Sequence, residues 1–177
     1  KLRAAREVWA NIMKGFGAEE ADRSCRIHSR PAYFYRTIFD AGVNMLRNTT
    51  AMFSAVVGGV DTYENEPYDE TVRKGDEFSR RIARNAHIIL QEEFGMLRPI
   101  DPAGGSWALE HLTKEMAEKI WKEFQKIESM GGFTKALEAE YPQEQILDIL
   151  KQRFKALDFR KDRAVGNNMY PNMAEEL

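Results

Sequence analysis

Apolar residues recur at helical spacing from the start of the chain. In KLRAAREVWANIMK, Leu2, Ala5, Val8, Trp9, Ile12 and Met13 fall along one stripe, which predicts a helix. The loop GFGAEEADR follows. SCRIH then alternates, with Cys25 and Ile27 on one side and Arg26 and His28 on the other. That predicts a short strand at 24–28, stopped by Pro31. VNMLRNTTAMFSAVVGG reads as a mostly buried helix from about 44 to 57, closed by Gly58-Gly59. VDTYENEP predicts a second strand at 60–63 running into a polar loop. DEFSRRIARNAHIILQEEFG predicts a helix with Asp76 as N-cap and Phe78, Ile82, Ala86 and Ile89 on one stripe.

Residues 24–90 therefore spell strand–loop–helix twice, the rhythm of a parallel βα sheet. The rhythm then stops. RPIDPAGGSWALEHL is a Pro- and Gly-rich connection, and Thr113 is expected to cap a helix reaching about 130. Its apolar side carries Met116, Ile120, Trp121, Phe124 and Ile127. GGF breaks that helix. Pro142, as its first helical residue, opens a last one carrying Ile146, Ile149, Leu150, Phe154 and Leu157. The tail VGNNMYPNMAEEL reads as irregular. The chain divides into a βα part, 1–95, and a helical part, 96–177. Two strands cannot close a sheet or bury both faces of a parallel layer. Residues 1–95 are thus expected to need strands from a preceding segment or another copy. A chain opening inside a helix at Lys1 reads as part of something longer.

Composition narrows the function classes. The 177 residues are 43% hydrophobic, enough for a core, and 26 Lys+Arg against 28 Asp+Glu give a net charge of -2. That balance does not point to nucleic acid. No apolar run reaches membrane-spanning length. The single cysteine, Cys25, excludes an internal disulfide and a Cys-rich metal site. It fits a reducing compartment, and with no visible signal peptide a cytoplasmic location is expected. The histidines, 28, 87 and 111, lack metal-ligand spacing, and no G-x-S-x-G, P-loop or Rossmann glycine run occurs.

In βα folds ligands meet the C-terminal ends of strands. The first such end carries His28 and Arg30. The second carries Tyr63, Glu64, Asn65 and Glu66, then Asp69 and Glu70. A histidine there suits hydrogen bonding or proton transfer; the plainer alternative is a strand-end histidine bonded to backbone. If the second loop opens a helical turn, Glu66 and Glu70 share one face and can hold ribose hydroxyls or a proton. The plainer alternative is a solvated acidic loop. Arg80, Arg81 and Arg84, with Asp76, Glu77, Glu92 and Glu93 nearby, read as a salt-bridged helix surface rather than an anion site. Asp101–Ser106 reads as a tight turn joining two layers rather than an anion nest.

RIHSR, VNMLRNTTAMFSAVVGGVDTYENEPYDE, DEFSRRIARNAHIILQEE, DPAGGSWALEHLT, IESMGGF and NNMYPN occur in that order over nearly the whole chain. Together they resemble the methylmalonyl-CoA mutase family. The resemblance implies an α/β chain holding the last strands and helices of a (β/α)8 TIM barrel, followed by an α-helical connecting region. It implies an adenosylcobalamin cofactor, an acyl-CoA substrate and a radical carbon-skeleton rearrangement, methylmalonyl-CoA to succinyl-CoA. The family's Asp-x-His-x-x-Gly cobalt-ligand motif is not present in these residues.

Carried over from that family, His28 matches the histidine of a His-x-Gln motif near the corrin and the active cavity, a catalytic and cofactor-binding position. Arg30 stands at that motif's glutamine. Glu70 matches a glutamate associated with the adenosyl ribose, and Glu66 stands where active chains commonly have asparagine. An amide donates and accepts hydrogen bonds, whereas arginine only donates and glutamate only accepts. Arg30 and Glu66 are expected to pair across the strand ends. Two readings follow from the resemblance: part of an active mutase, or a noncatalytic small subunit beside a catalytic chain. An independent helical binding protein is a third, disfavoured because its parallel strands would lack neighbours. The implied partners are the acyl-CoA substrate and a preceding barrel segment or homologous mutase subunit in an oligomer, with no nucleic acid and no membrane.

Overall fold

The computed structural model describes residues 1–175. The last two positions of the expected irregular tail, 176 and 177, lie outside the described residues. The first helix, α1, spans Leu2–Gly15. It buries Ala4 and Val8 against Ala117, with Ile12, Ile120 and Trp121 packed around them. The inward stripe is therefore turned from the expected one: Ala4 is buried, Ala5 and Trp9 are exposed. Small side chains at 4 and 117 let the two helices approach closely. The turn also directs two arginines inward. Arg6 ties together the Cys25 carbonyl, the Gly59 carbonyl and the Asp61 carboxylate.

The two strands are β1, His28–Ser29, and β2, Thr62–Tyr63. They pair in parallel, His28 opposite Thr62 and Ser29 opposite Tyr63, so the expected parallel pairing is present. Both are shorter than the 24–28 and 60–63 predicted. The Asp61 side chain replaces a ladder partner at the start, accepting from Ile27 N at 2.7 Å. Cys25, Arg26 and Ile27 therefore precede the strand. Between the strands lies α2, Asn44–Val57, with the predicted bounds. Gly58 and Gly59 end it, Gly59 at φ +78, which favours glycine. Its inward face carries Met52 and Ala55 but also Asn44 and Asn48, while Leu46 and Phe53 are exposed. The helix is less buried than its apolar content predicts, because half of its covered face is amide.

Helix α3, Glu77–Ile88, starts at Asp76, whose carboxylate accepts from Ser79 N at 2.8 Å as the expected cap. A π-helical turn, Ile89–Glu93, continues it. Ser79, Ala83 and Leu90 face inward while Phe78 and Ile89 are exposed, again a rotated stripe. Arg80, Arg81 and Arg84 make no ion pair among the described residues; Asp76 pairs instead with Arg73 at 2.9 Å. The salt-bridged surface expected there is not formed.

Helix α4, Trp107–Ser129, begins after Ser106, well before Thr113. The Glu110 carboxylate caps the opening turn by accepting from Gly105 N at 3.1 Å, and Arg3 binds it at 2.7 Å. Arg3 also pairs with Asp101 at 3.0 Å. Asp101–Ser106 is thus the turn expected, a joint between α1 and α4. Thr113 lies inside the helix, its hydroxyl donating to the Leu109 carbonyl. Gly131 and Gly132, at φ +95 and +93, break the chain as predicted. A short helix, α5 (Phe133–Glu138), follows unanticipated; six residues are too few for periodicity to reveal it. Helix α6 is Tyr141–Asp158, with Pro142 in its first turn but one place after the opening residue. No residue of α6 is buried among the described residues: Leu150 and Leu157 of its apolar stripe are half-buried, while Ile146, Ile149 and Phe154 stand exposed, Phe154 beside Phe34.

The buried apolar residues are mostly alanines, with Val8, Met52 and Leu90 the larger ones. Many large side chains stand outside, Ile100 at 94% exposure and Trp107 at 91% among them. No helix of the described residues is long and apolar enough to cross a membrane.

Candidate functional site

His28 opens β1 rather than ending it, and the parallel register sets it beside Thr62, the first residue of β2. His28 Nδ1 and Thr62 Oγ1 share a hydrogen bond of 2.8 Å, and Nε2 lies 3.8 Å from a Glu64 carboxylate oxygen. The imidazole remains 56% exposed. Its one hydrogen bond goes to a side chain, that of Thr62, not to backbone as the plainer alternative had it.

Two residues on, Arg30 pairs with Glu66 at 2.8 Å, the contact expected across the strand ends. A third member was not expected. After Pro31 a single 3-10 turn, Tyr33–Tyr35, swings the chain back. Arg36 then enters from the other side, its Nη2 against the second Glu66 oxygen. The Arg36 side chain is 1% exposed and that of Glu66 8%, whereas Arg30 is 50% exposed. The Tyr33 ring lies over both guanidinium groups, 4.1 Å from Arg36 and 5.6 Å from Arg30. Both Glu66 oxygens are therefore engaged by cations.

Asparagines fix the segment that carries Glu66. Asn48 Nδ2 donates to the Glu66 carbonyl at 2.8 Å, and Asn65 Nδ2 to the Ala83 carbonyl at 3.0 Å. One turn before Asn48, the Asn44 amide holds the Thr37 and Tyr68 carbonyls and accepts from Thr37 N and Arg47. Helix α2 thus positions both the Arg36 turn and the Glu66 loop. Residues 66–70 do not form a helical turn. Glu70 lies in the turn that follows and makes no side-chain hydrogen bond or ion pair among the described residues. The structure brings Arg30 and Glu66 together and sets His28 beside Thr62 and Glu64, without joining Glu70 to either group. Arg36, Asn44 and Asn48 escaped the sequence reading. Glu66 stands in the polar run ENEPYDE, and nothing local in the sequence signals that it is buried or that Arg36 meets it.

Burial, reinforced by the Glu66 charge and opposed by Arg36, pushes the Tyr63 phenol up to about 12. Its hydroxyl is buried without a hydrogen-bond partner among the described residues. Burial holds His87, 6.0 Å from the Tyr63 ring, below its ordinary 6.5. For a depressed histidine the unfolded chain takes up more protons, so stability is present above 6.5 and lost as pH falls below it. Chemical denaturation between pH 7 and pH 5 should show this loss, and His87→Gln should reduce it. An unchanged pH profile in His87→Gln would place the acid sensitivity elsewhere.

Among the described residues no group of three or more His, Cys, Asp or Glu is placed to hold a metal. The methylmalonyl-CoA mutase family model matches residues 1–177. The chain is 37% identical over 177 residues to the methylmalonyl-CoA mutase small subunit of Porphyromonas gingivalis, covering 99% of this chain and 29% of that protein. Against the small subunit of Propionibacterium freudenreichii subsp. shermanii it is 38% identical over 172 residues, covering 97% of this chain and 27% of the relative. A methylmalonyl-CoA mutase of Cereibacter sphaeroides is 39% identical over 171 residues, covering 96% of this chain and 24% of the relative. The chain spans less than a third of the length of each. With a match along its full length and relatives well above 30% identity, the chain belongs to the methylmalonyl-CoA mutase family.

Proposed function

We propose that this chain is part of a noncatalytic, small-subunit-type component of an acyl-CoA mutase, paired with a homologous catalytic chain. The carrying observation is the Arg30–Glu66–Arg36 cluster. The adenosyl ribose offers hydroxyl groups that need acceptors. Here both oxygens of Glu66 face guanidinium groups and arginine at position 30 accepts nothing, while Glu70, whose carboxylate keeps its acceptors, is not joined to this cluster. These residues do not fit the adenosyl group as a Gln/Asn pair would. In this reading the catalytic partner holds adenosylcobalamin and converts methylmalonyl-CoA to succinyl-CoA in the cytoplasm. The names of the Porphyromonas and Propionibacterium relatives support it.

In the same reading β1 and β2 are late strands of a (β/α)8 barrel formed by 1–95 with a preceding segment, and 96–177 is the helical region after it. The broad apolar exposure supports cover by further chain or a partner subunit. A second reading, an active mutase chain using His28, draws on the Cereibacter relative and on the exposed imidazole at the strand end.

The test uses the full-length protein assembled with its longer homologue. Adenosylcobalamin titration of the full-length protein without the homologue should show no binding. His28→Ala in the assembly should leave turnover within about twofold, a change below ~0.5 kcal/mol. Stoichiometric cobalamin binding by this chain, or a large loss of turnover in His28→Ala with unchanged melting, would overturn the noncatalytic reading and favour the second.

A further inference from the structure

A cleft of about 970 Å³ lies between α2, the Pro31–Thr37 segment, the end of α6 and the loop after it. Its charge is one-sided. Arg47, Arg153, Lys161 and Arg163 line it, and none makes an ion pair among the described residues; Asp162 is the one carboxylate residue in the lining. Arg36 also borders it, but its charge is matched by Glu66. Two of the four cations are held in place by neutral groups. Arg47 is directed by Thr37 Oγ1 and Asn44 Oδ1, both at 2.8 Å, and by the Val165 carbonyl. Arg153 reaches Tyr35 Oη at 2.5 Å and lies over the Phe34 ring, its guanidinium carbon 4.1 Å from the centroid. Burial lowers the pKa of Arg47, opposed by the charge of Asp40, with which it forms no ion pair among the described residues.

Guanidinium groups held by neutral partners beside the exposed Lys161 and Arg163 suit phosphate oxygens, which accept several hydrogen bonds at once. Phe34, Tyr35, Leu46, Ala51 and Leu157 supply an aromatic and aliphatic wall in the same cleft. We propose that this cleft binds a small organic phosphate, its phosphate oxygens held by Arg153, Lys161 and Arg163 and its ring lying against that wall. The site shares only Arg36 with the strand-end cluster and does not depend on whether the chain is catalytic.

The test is calorimetric titration of the full-length protein with phenyl phosphate and with inorganic phosphate at low salt. Phenyl phosphate should bind saturably with Kd below about 1 mM. Inorganic phosphate should bind several-fold more weakly for want of a ring, and both affinities should fall as salt is raised. Lys161→Glu with Arg163→Glu, two exposed positions, should weaken both at least about tenfold with an unchanged circular dichroism spectrum. Arg153→Gln provides a second, independent loss should the double reversal misfold. Absence of saturable binding by either phosphate overturns the proposal, as does binding undiminished in these variants. Equal affinities for the two probes overturn the role of the aromatic wall.

Discussion

Glu66→Asn is expected to destabilise the protein by about 3–5 kcal/mol, because it leaves the Arg36 guanidinium buried without its counter-charge. None of the three Arg36 guanidinium nitrogens makes a hydrogen bond among the described residues, and Nη2 meets Glu66 only as an ion pair. Arg30→Gln should cost far less, under about 1 kcal/mol, since Arg30 is half in water and screened there. From the sequence, with Arg30 as the only partner in view, Arg30→Gln is the damaging change and adding Glu66→Asn repairs part of it. The third member reverses this: the pair Arg30→Gln and Glu66→Asn should be about as unstable as Glu66→Asn alone. Repair requires removing the buried cation too. Arg36→Met with Glu66→Leu should recover most of the loss, because a packed apolar pair avoids the desolvation of two charges. Urea unfolding of the full-length variants orders these effects. If Glu66→Asn stays within about 1 kcal/mol of the parent, or if Arg30→Gln is the worse change, the cluster is not holding the strand ends together.

What the sequence made legible was local. The bounds of α2, the Asp76 cap and the Gly131-Gly132 break follow from glycine, a short acidic side chain and helical periodicity, each of which acts over a few residues, and the parallel pairing from the order in which strands and helices alternate. The inward faces of α1 and α3 were less legible. Periodicity counts Trp9 and Phe78 as core because they are apolar, but neither is covered by the described residues. Their place is taken by Ala4 and Ala83, whose small side chains let neighbouring elements approach. The same limit applies to the site. Arg30 and Glu66 sit at strand ends and were readable as a pair from the βα rhythm. Arg36 reaches Glu66 only because an irregular turn between Pro31 and Thr37 folds back, and no repeat in the sequence encodes that path. Helix α4 began early for a related reason: its first turn is completed by a carboxylate and by an arginine from α1, a contact across more than 100 residues of chain.

Asn44→Ala is expected to cost about 2–4 kcal/mol, the range in which loss of a buried hydrogen-bond network falls. Asn44 is 0% exposed, and its amide meets four partners with both of its polar atoms. The oxygen accepts from Thr37 N at 3.1 Å and Arg47 Nη1 at 2.8 Å; the nitrogen donates to the Thr37 carbonyl at 2.9 Å and the Tyr68 carbonyl at 3.1 Å. Alanine deletes all four and leaves the Thr37 amide and the Tyr68 carbonyl seeking partners where water has little access. Asn44→Asp separates the two halves of the role. A carboxylate keeps the bonds to Thr37 N and Arg47 and strengthens the second, but it places an oxygen against two carbonyl oxygens. The aspartate variant should therefore be no more stable than the alanine variant despite its nearly identical shape, and it should recover at acid pH as the carboxyl gains a proton to donate. The two segments held here are those that carry Arg36 and the residues just after Glu66, so amide hydrogen exchange should quicken at Thr37 and across 66–70 in both variants. Stability close to the parent in Asn44→Asp at neutral pH would mean that the donor side of the amide contributes little, and that α2 holds the strand-end cluster through Asn48 and the acceptor side of Asn44.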